Sequence, residues 1–337
     1  MKSVARLVAA LLAGVLSWSV GCREAVSQKV ESSPLQLQGR IPLGDVRGRI
    51  DHMAVDLKRQ RLFVAELGND TVGIVDLANG KVIHRIAGLK EPQGVGYEAS
   101  TDTLYVANAG DGSVGVFEAQ DYAAKNRIEL GSDADNVRID TATHRILVGY
   151  GSGALAVIDP ATQRKVGELP LGAHPEGFQI DPDSNQVFVN VPDAHGIAVV
   201  DRVSQKSVGK WPLTGRSANF PLALDPARRQ ILVIFRAPAE LGVFSMTDGK
   251  LISTTTTCGD ADDVFVDAKR GLAYVSCGAG FVDVLESNAT AYRRIARVPT
   301  ASGARTSLFV PELDRLPVAT RASAGEPAAI WVFRPTP

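Results

Sequence analysis

Cysteine is scarce in this chain, and so are the residues that usually hold a cofactor. Of 337 residues, three are cysteine, three methionine, three tryptophan and five histidine. No Cys-x-x-Cys-His segment is present to attach haem, and the histidines are too few and scattered for a multi-copper cluster. No glycine-rich phosphate loop leads into a helix; GDGSVG at 110–115 reads as a turn between two strands. Neither haem nor a nucleotide cofactor is therefore expected. An excess of charge of one sign is also missing. Lys plus Arg number 36 against 37 Asp plus Glu, and no basic run exceeds a pair. Electrostatic capture of nucleic acid or of an anionic membrane has no footprint. Helical periodicity is not sustained over the ten or more residues a helix needs.

One apolar run of ten, Leu7 to Leu16, follows Lys2 and Arg6 and precedes Ser19-Val20-Gly21-Cys22. A charged start, a short apolar centre and a small-residue end make residues 1–22 a secretory signal, too short to span a bilayer. Its end resembles the lipobox of bacterial lipoproteins, which implies lipidation of Cys22 and a membrane contact made only through that lipid. Ser19 stands where leucine is usual, which leaves open ordinary cleavage after Gly21 and a soluble periplasmic or secreted product. Either way the expected location is the cell envelope or beyond. Residues 23–34 are polar and read as a tether. Cys258 and Cys277 are the remaining cysteines. An exported chain permits a disulfide between them, with two buried free thiols as the alternative; two residues cannot make a four-ligand zinc site.

What the sequence does contain is a repeat. Asp56, Glu98, Asp140, Asp181, Asp225, Asp267 and Pro311 fall in matching slots at intervals of 42, 42, 41, 44, 42 and 44 residues. Each unit reads as four short strands; the first comprises HMAVD, RLFVAE, TVGIVDL and KVIHRIAG, broken by polar or glycine-bearing turns. A four-stranded unit of this size cannot bury both faces of its sheet alone, so the units must stack around an axis. The expectation for residues 35–337 is a single all-β domain, a seven-bladed β-propeller of four-stranded antiparallel blades. The last unit stops at Trp331-Val332-Phe333, so the strand-like Leu35 to Leu43 is expected to supply the outer strand of the last blade.

Leu104-Tyr105-Val106-Ala107-Asn108, with the variants LFVAE, VFVNV and AYVSC, resembles the signature strand of the YVTN-repeat, YncE-like propellers. The resemblance covers residues 35–334 and implies the fold. It implies no single function, since such propellers include binding and surface proteins and related ones are lactonases and lyases.

In such a blade the first strand lines the central channel. The slot acids lie at the bottom turns, where Asp caps a tight turn. Four to five residues upstream, the chain reaches the top rim of the channel. The pairs there are Asp51-His52, Gln93-Gly94, Asp135-Asn136, Glu176-Gly177, Phe220-Pro221, Asp262-Asp263 and Thr306-Ser307, with Arg305 just before the last. Ligand-binding candidates are accordingly Asp51, His52, Gln93, Asp135, Asn136, Glu176, Asp262, Asp263 and Arg305. Hard cations such as Ca²⁺ or Mg²⁺ accept carboxylate oxygens, which makes Asp135, Glu176, Asp262 and Asp263 a candidate metal set. Arg305 is available to pair with an acid or orient an anion. His52 is the proton carrier if the protein is an enzyme, with His174 and His195 behind it and no role assigned to His84 or His144. A second ring at the ends of the second strands, Glu66, Asn108, Tyr150, Phe235-Arg236, Cys277 and Arg321, suits recognition or docking.

Three functions follow from these residues. The first is binding of a small polar ligand, a cation or a protein partner at the top face, by a chain expected to be monomeric. The second is metal-assisted hydrolysis or elimination like that of the lactonase and streptogramin-lyase propellers. The third is pure scaffolding.

Overall fold

Branched apolar residues alternating with polar ones favour a half-buried strand, and a tight turn after each strand returns the chain beside itself. The computed structural model describes residues 33–336. In it the first repeat forms strands Met53–Asp56, Arg61–Glu66, Thr71–Asp76 and Lys81–Ile86, hydrogen-bonded in that order. Five more four-stranded sheets follow in the same order, with inner strands Pro92–Glu98, Ala134–Asp140, Phe178–Ile180, Ser217–Asp225 and Ala261–Asp267. These are blades 1 to 6. The expected signal segment 1–22, with Cys22, and nearly all of the polar stretch 23–34 lie outside the described residues.

The seventh blade is built from both ends of the domain. Leu35–Pro42 pairs antiparallel with Ala329–Pro335, which pairs with Leu316–Thr320. Ile41 lies opposite Ile330, and Arg40 lies opposite Trp331 with its guanidinium 4.0 Å from the indole centre. The inner strand of this blade is irregular, tied on by the single bridges Ser307–Val318 and Val310–Arg315. The fold is therefore the seven-bladed β-propeller that the repeat implied, closed by its N-terminal strand.

Seven apolar clusters fill the interfaces between neighbouring blades. Phe63, Val72 and Ile74 of blade 1 meet Leu104 and Val106 of blade 2. At the closure, Leu62, Val64 and Val75 of blade 1 pack on Ile330, Val332 and Ile41 of blade 7. Each such side chain contributes about 1.5–3 kcal/mol by leaving water, and no blade buries its face without a neighbour.

The slot acids are buried and cap their turns. Asp56, Asp140, Asp181, Asp225 and Asp267 each accept a backbone N–H two or three residues on, at 3.1–3.3 Å. Arginines carry the ring from blade to blade. Arg59 bridges Asp56 and Asp102, Arg202 reaches Asp140, Arg229 reaches Asp181, and Arg270 bridges Asp267 and Asp314.

Candidate functional site

The rim pairs occupy one structural device. In blades 2, 3, 5 and 6 the inner strand leaves register with the second strand at Gln93-Gly94, Asp135-Asn136, Phe220-Pro221 and Asp262, so that two residues oppose one. Blades 1 and 4 do the same. Asp51 N–H donates to Ala65 O while Ala65 N–H donates to His52 O, and Glu176 and Gly177 share Asn190 likewise. These are β-bulges, which bend the strand and redirect side chains. Two residues before the bulge, Glu91, Asp133, Ala218 and Asp260 have positive φ, a conformation Asp tolerates better than most residues. The carbonyls of Glu91, Asp133 and Asp260 accept N–H groups from the neighbouring top loop.

Backbone bonds also join the bulges around the channel: His52 N–H to Gln93 O at 3.2 Å and Gly177 N–H to Phe220 O at 3.0 Å. Asp263 takes part through its side chain, accepting Ser307 N–H at 2.7 Å and so holding the irregular strand of blade 7.

Arginines enter the acidic mouth from neighbouring positions. Arg49 lies 2.7 Å from Asp51. Arg236 reaches from the second strand of blade 5 to Asp262 at 2.5 Å, its guanidinium 4.2 Å from the Phe220 ring centre. Arg305 donates to Asp260 at 2.9 Å and stands 3.5 Å from Asp262. Arg138, half-buried on the channel wall, donates to Val137 O, and its guanidinium lies 5.7 Å from the Phe178 ring centre. His52 sits between two acids without bonding either, 3.8 Å from Asp51 and 3.9 Å from Asp263.

The space between these groups has three parts. A half-open vestibule of about 260 Å³ is lined by Arg49, Gln93, Asp135, Glu176, Arg236 and Arg305, among others. A narrower chamber of about 30 Å³ adjoins it, bordered by Asp51, His52, Asn136 and Arg138; it has room for about one or two waters. Farther along the axis, about 360 Å³ of channel is bordered by Met53, Val95, Val137, Ile139 and Leu308. Of the residues on the vestibule and chamber walls, Asp135 and Asn136 each hold a buried acceptor, Oδ1, with no hydrogen-bond partner among the described residues.

Burial and neighbouring charge reset the protonation of the site. Asp135 is held well above the usual carboxylate range by burial first, then by Asp51 and Glu176. Burial, with Asp262 and Asp51 nearby, pushes Glu176 up to about 7. Burial likewise raises Asp263 well above its ordinary value. His52 is pushed down to about 4 by burial and by the charge of Arg138. It is therefore neutral at pH 7 and a poor base, because a base works best with a pKa near the working pH.

All the rim candidates lie on the vestibule or the adjoining chamber. Among the described residues no group of three or more His, Cys, Asp or Glu side chains is placed to hold a metal. Asp262 is engaged by Arg236 and Asp263 by Ser307, so Asp135, Glu176, Asp262 and Asp263 do not form a coordination shell. Ca²⁺ takes six to eight oxygens.

The second ring does not act as one surface either. Glu66 is buried under Arg85 and Thr71, and Asn108 bonds Ser113 inside blade 2. Tyr150 pairs with Glu168 and Lys165. Cys277 is joined to Cys258 in a disulfide with a Cα–Cα separation of 5.9 Å. Of that ring Arg236 lines the mouth. His174 stands 3.5 Å from Asp133 at the vestibule edge, whereas His195 holds a left-handed turn in a top loop.

Arg49, Arg138 and Gln179 are the site residues that counting along the repeat passed over. The signal was present for two of them. Arg49 and Arg138 lie two residues from Asp51 and Asn136, and a strand repeats its facing every second residue.

No protein-family model matches the chain, and no curated protein sequence does. Among solved structures, a chain of Kuenenia stuttgartiensis hydrazine synthase superposes with a TM-score of 0.75 at 19% identity, covering 89% of this chain and 99% of that one. A chain from the crystal structure of a mitotic checkpoint complex superposes with a TM-score of 0.74 at 14% identity, covering 96% and 99%. At these identities the likeness establishes the β-propeller fold and carries no chemistry from one protein to the other.

Proposed function

We propose that this protein is an exported propeller of the YVTN-repeat kind that binds a small polar ligand at the top mouth of its central channel. The observation that carries this reading is the pair of buried, unpartnered acceptors, Asp135 Oδ1 and Asn136 Oδ1, on the wall of an accessible vestibule. Leaving a buried acceptor unpaired costs about 1–3 kcal/mol, and native proteins leave few so. Groups on the wall of an open cavity recover that cost when a ligand donates to them. Binding without chemistry fits the proton inventory, since His52 is too weak a base at about 4. Were the site to do chemistry, Glu176 at about 7 is the better-matched base. The fold is compatible with ligand or protein binding, and its solved neighbours come from an enzyme and from a protein complex.

The test is thermal unfolding of the mature chain against amino acids, polyamines, sugars, organic acids, Ca²⁺ and Mg²⁺. A ligand at 100 times its Kd stabilises by about 2.7 kcal/mol, and at least one compound is expected to raise the Tm of the wild type and not of Asp135→Ala. If both proteins respond alike to every compound, the mouth is not the site. We propose further that residues 1–22 export the chain and that a lipid on Cys22 anchors it in the cell envelope, the alternative being a soluble periplasmic or secreted product. Cys22→Ser is then expected to leave the membrane fraction; unchanged membrane association would count against the anchor.

A further inference from the structure

The charges of the mouth are segregated by blade. Blades 5, 6, 7 and 1 hold a dense set of opposite charges. Asp51 is matched by Arg49, Asp262 by Arg236, and Asp260 by Arg305. Beside them Arg321, just past the second strand of blade 7, has no carboxylate within 4.0 Å among the described residues, and its Nε and Nη2 are buried without an acceptor. Arg305 Nε is likewise buried with no hydrogen bond. The side chain of Arg321 runs over Gly303, whose Cβ, if it had one, would lie 3.3 Å from Arg321 Cδ. The electrostatic neighbours of Arg321 are Arg305, Arg49, Asp260 and Asp262.

Blades 3 and 4 present the opposite imbalance. Asp135 and Glu176 have no lysine, arginine or histidine within 4.0 Å among the described residues; Arg49 and Arg236 act on Glu176 only from farther away, and His174 turns to Asp133 and Gly151 O. Asp135 lines the cavity and is 5% exposed, and its Oδ1 is buried without a hydrogen-bond partner among the described residues. One side of the vestibule thus carries two carboxyl groups without an ion pair, and on the other stands Arg305, with the unmatched guanidinium of Arg321 among its electrostatic neighbours. A metal ion would satisfy the first and leave the second. An inorganic anion would do the reverse.

Resting on the mouth being the binding site, we propose that the vestibule binds a small zwitterion, its amine on Asp135 and Glu176 and its carboxylate on the Arg305–Arg321 side. The acceptor at Asp135 Oδ1 calls for an N–H donor, so a primary or secondary amine fits and a quaternary one does not. A cavity of about 260 Å³ lies below the range of drug-sized pockets, which suits a metabolite the size of an amino acid.

The experiment is calorimetric titration of the mature protein with the proteinogenic amino acids and the ω-amino acids from β-alanine to 5-aminovalerate. Butylamine, butyrate, glycine betaine and CaCl₂ complete the panel. At least one amino acid should bind about tenfold or more tightly than butylamine, butyrate and betaine. Asp135→Asn and Arg321→Gln should each weaken it by about tenfold, with Glu176→Gln as the second acidic variant if Asp135→Asn does not fold. The zwitterion is overturned, and the mouth kept, if butylamine, butyrate, betaine or CaCl₂ binds as tightly as any amino acid and Asp135→Asn abolishes that binding. It is overturned as well if no panel member binds. In that case the broader library and Asp135→Ala decide separately whether the mouth binds anything.

Discussion

At the scale of single residues, Glu176 shows how a surface-type residue becomes an instrument. Its carboxyl meets Asp262, Asp51 and Asp135 across the mouth, with Arg236, Arg49 and Arg305 on the far side and His174 two residues away. Burial and the facing acids raise its pKa from the usual 4.5 to about 7. A raised acid pKa means that the folded state holds its proton more tightly than the unfolded chain. Its stabilisation is therefore complete below about pH 4.5 and is lost as pH rises through about 7. Glu176→Gln should remove that part of the slope. Thermal unfolding from pH 5 to 8 is expected to show wild type losing more Tm than the variant, with the variant the more stable at pH 8. Parallel curves for the two proteins would mean that Glu176 titrates as a solvated carboxylate.

At the scale of elements, the repeated bulge explains why chemistry concentrates at one point in each blade. Two residues opposite one on the partner strand turn side chains into the channel that a regular pleat would send to the blade faces. The bulges also pack on each other. A Cβ on Gly94 would lie 2.1 Å from Asp135 O, and one on Gly177 would lie 2.5 Å from Phe220 O. Neither backbone carbonyl can yield as a flexible side chain would. Gly94→Ala is expected to destabilise the fold by about 1–3 kcal/mol in denaturant unfolding and to disturb any ligand held by Asp135. Gly259→Ala, at a site with nothing within 4 Å, should be close to neutral. Equal effects would show that the contact between blades 2 and 3 does not constrain the bulge. These positions were legible by counting back from each slot acid. The bulge was not, since no residue type in Gln-Gly, Asp-Asn or Phe-Pro marks it in common.

For the whole molecule, closure is the decisive step. Blade 1 buries Leu62, Val64 and Val75 only because Ile330, Val332 and Ile41 close against them, and seven interfaces in a ring leave no blade independently stable. Removing residues up to Leu43 should leave Ala329–Pro335 as an open edge and uncover one end of the ring. The expected result is a chain that aggregates or unfolds with a much lower Tm. Adding back a peptide of residues 33–43 should restore part of the loss. A truncated protein with wild-type unfolding would show that the seventh blade is dispensable to the ring.

The period of about 42 residues, the strand pattern and the missing last strand were enough to determine the propeller and its closure. Those are properties of local alternation and chain length, which sequence carries directly. The aspartates at the bottom turns were equally legible, because a capped turn is a contact between near neighbours in the chain. The mouth was legible only as a set of positions. Which acids stay free was decided by tertiary structure. Arg236 arrives from a second strand 26 residues before Asp262, and Ser307 takes Asp263 from the next blade, while Asp135 Oδ1 has no hydrogen-bond partner among the described residues. Pairing of charges across blades depends on distances that the ring creates, which the order of residues along the chain does not carry.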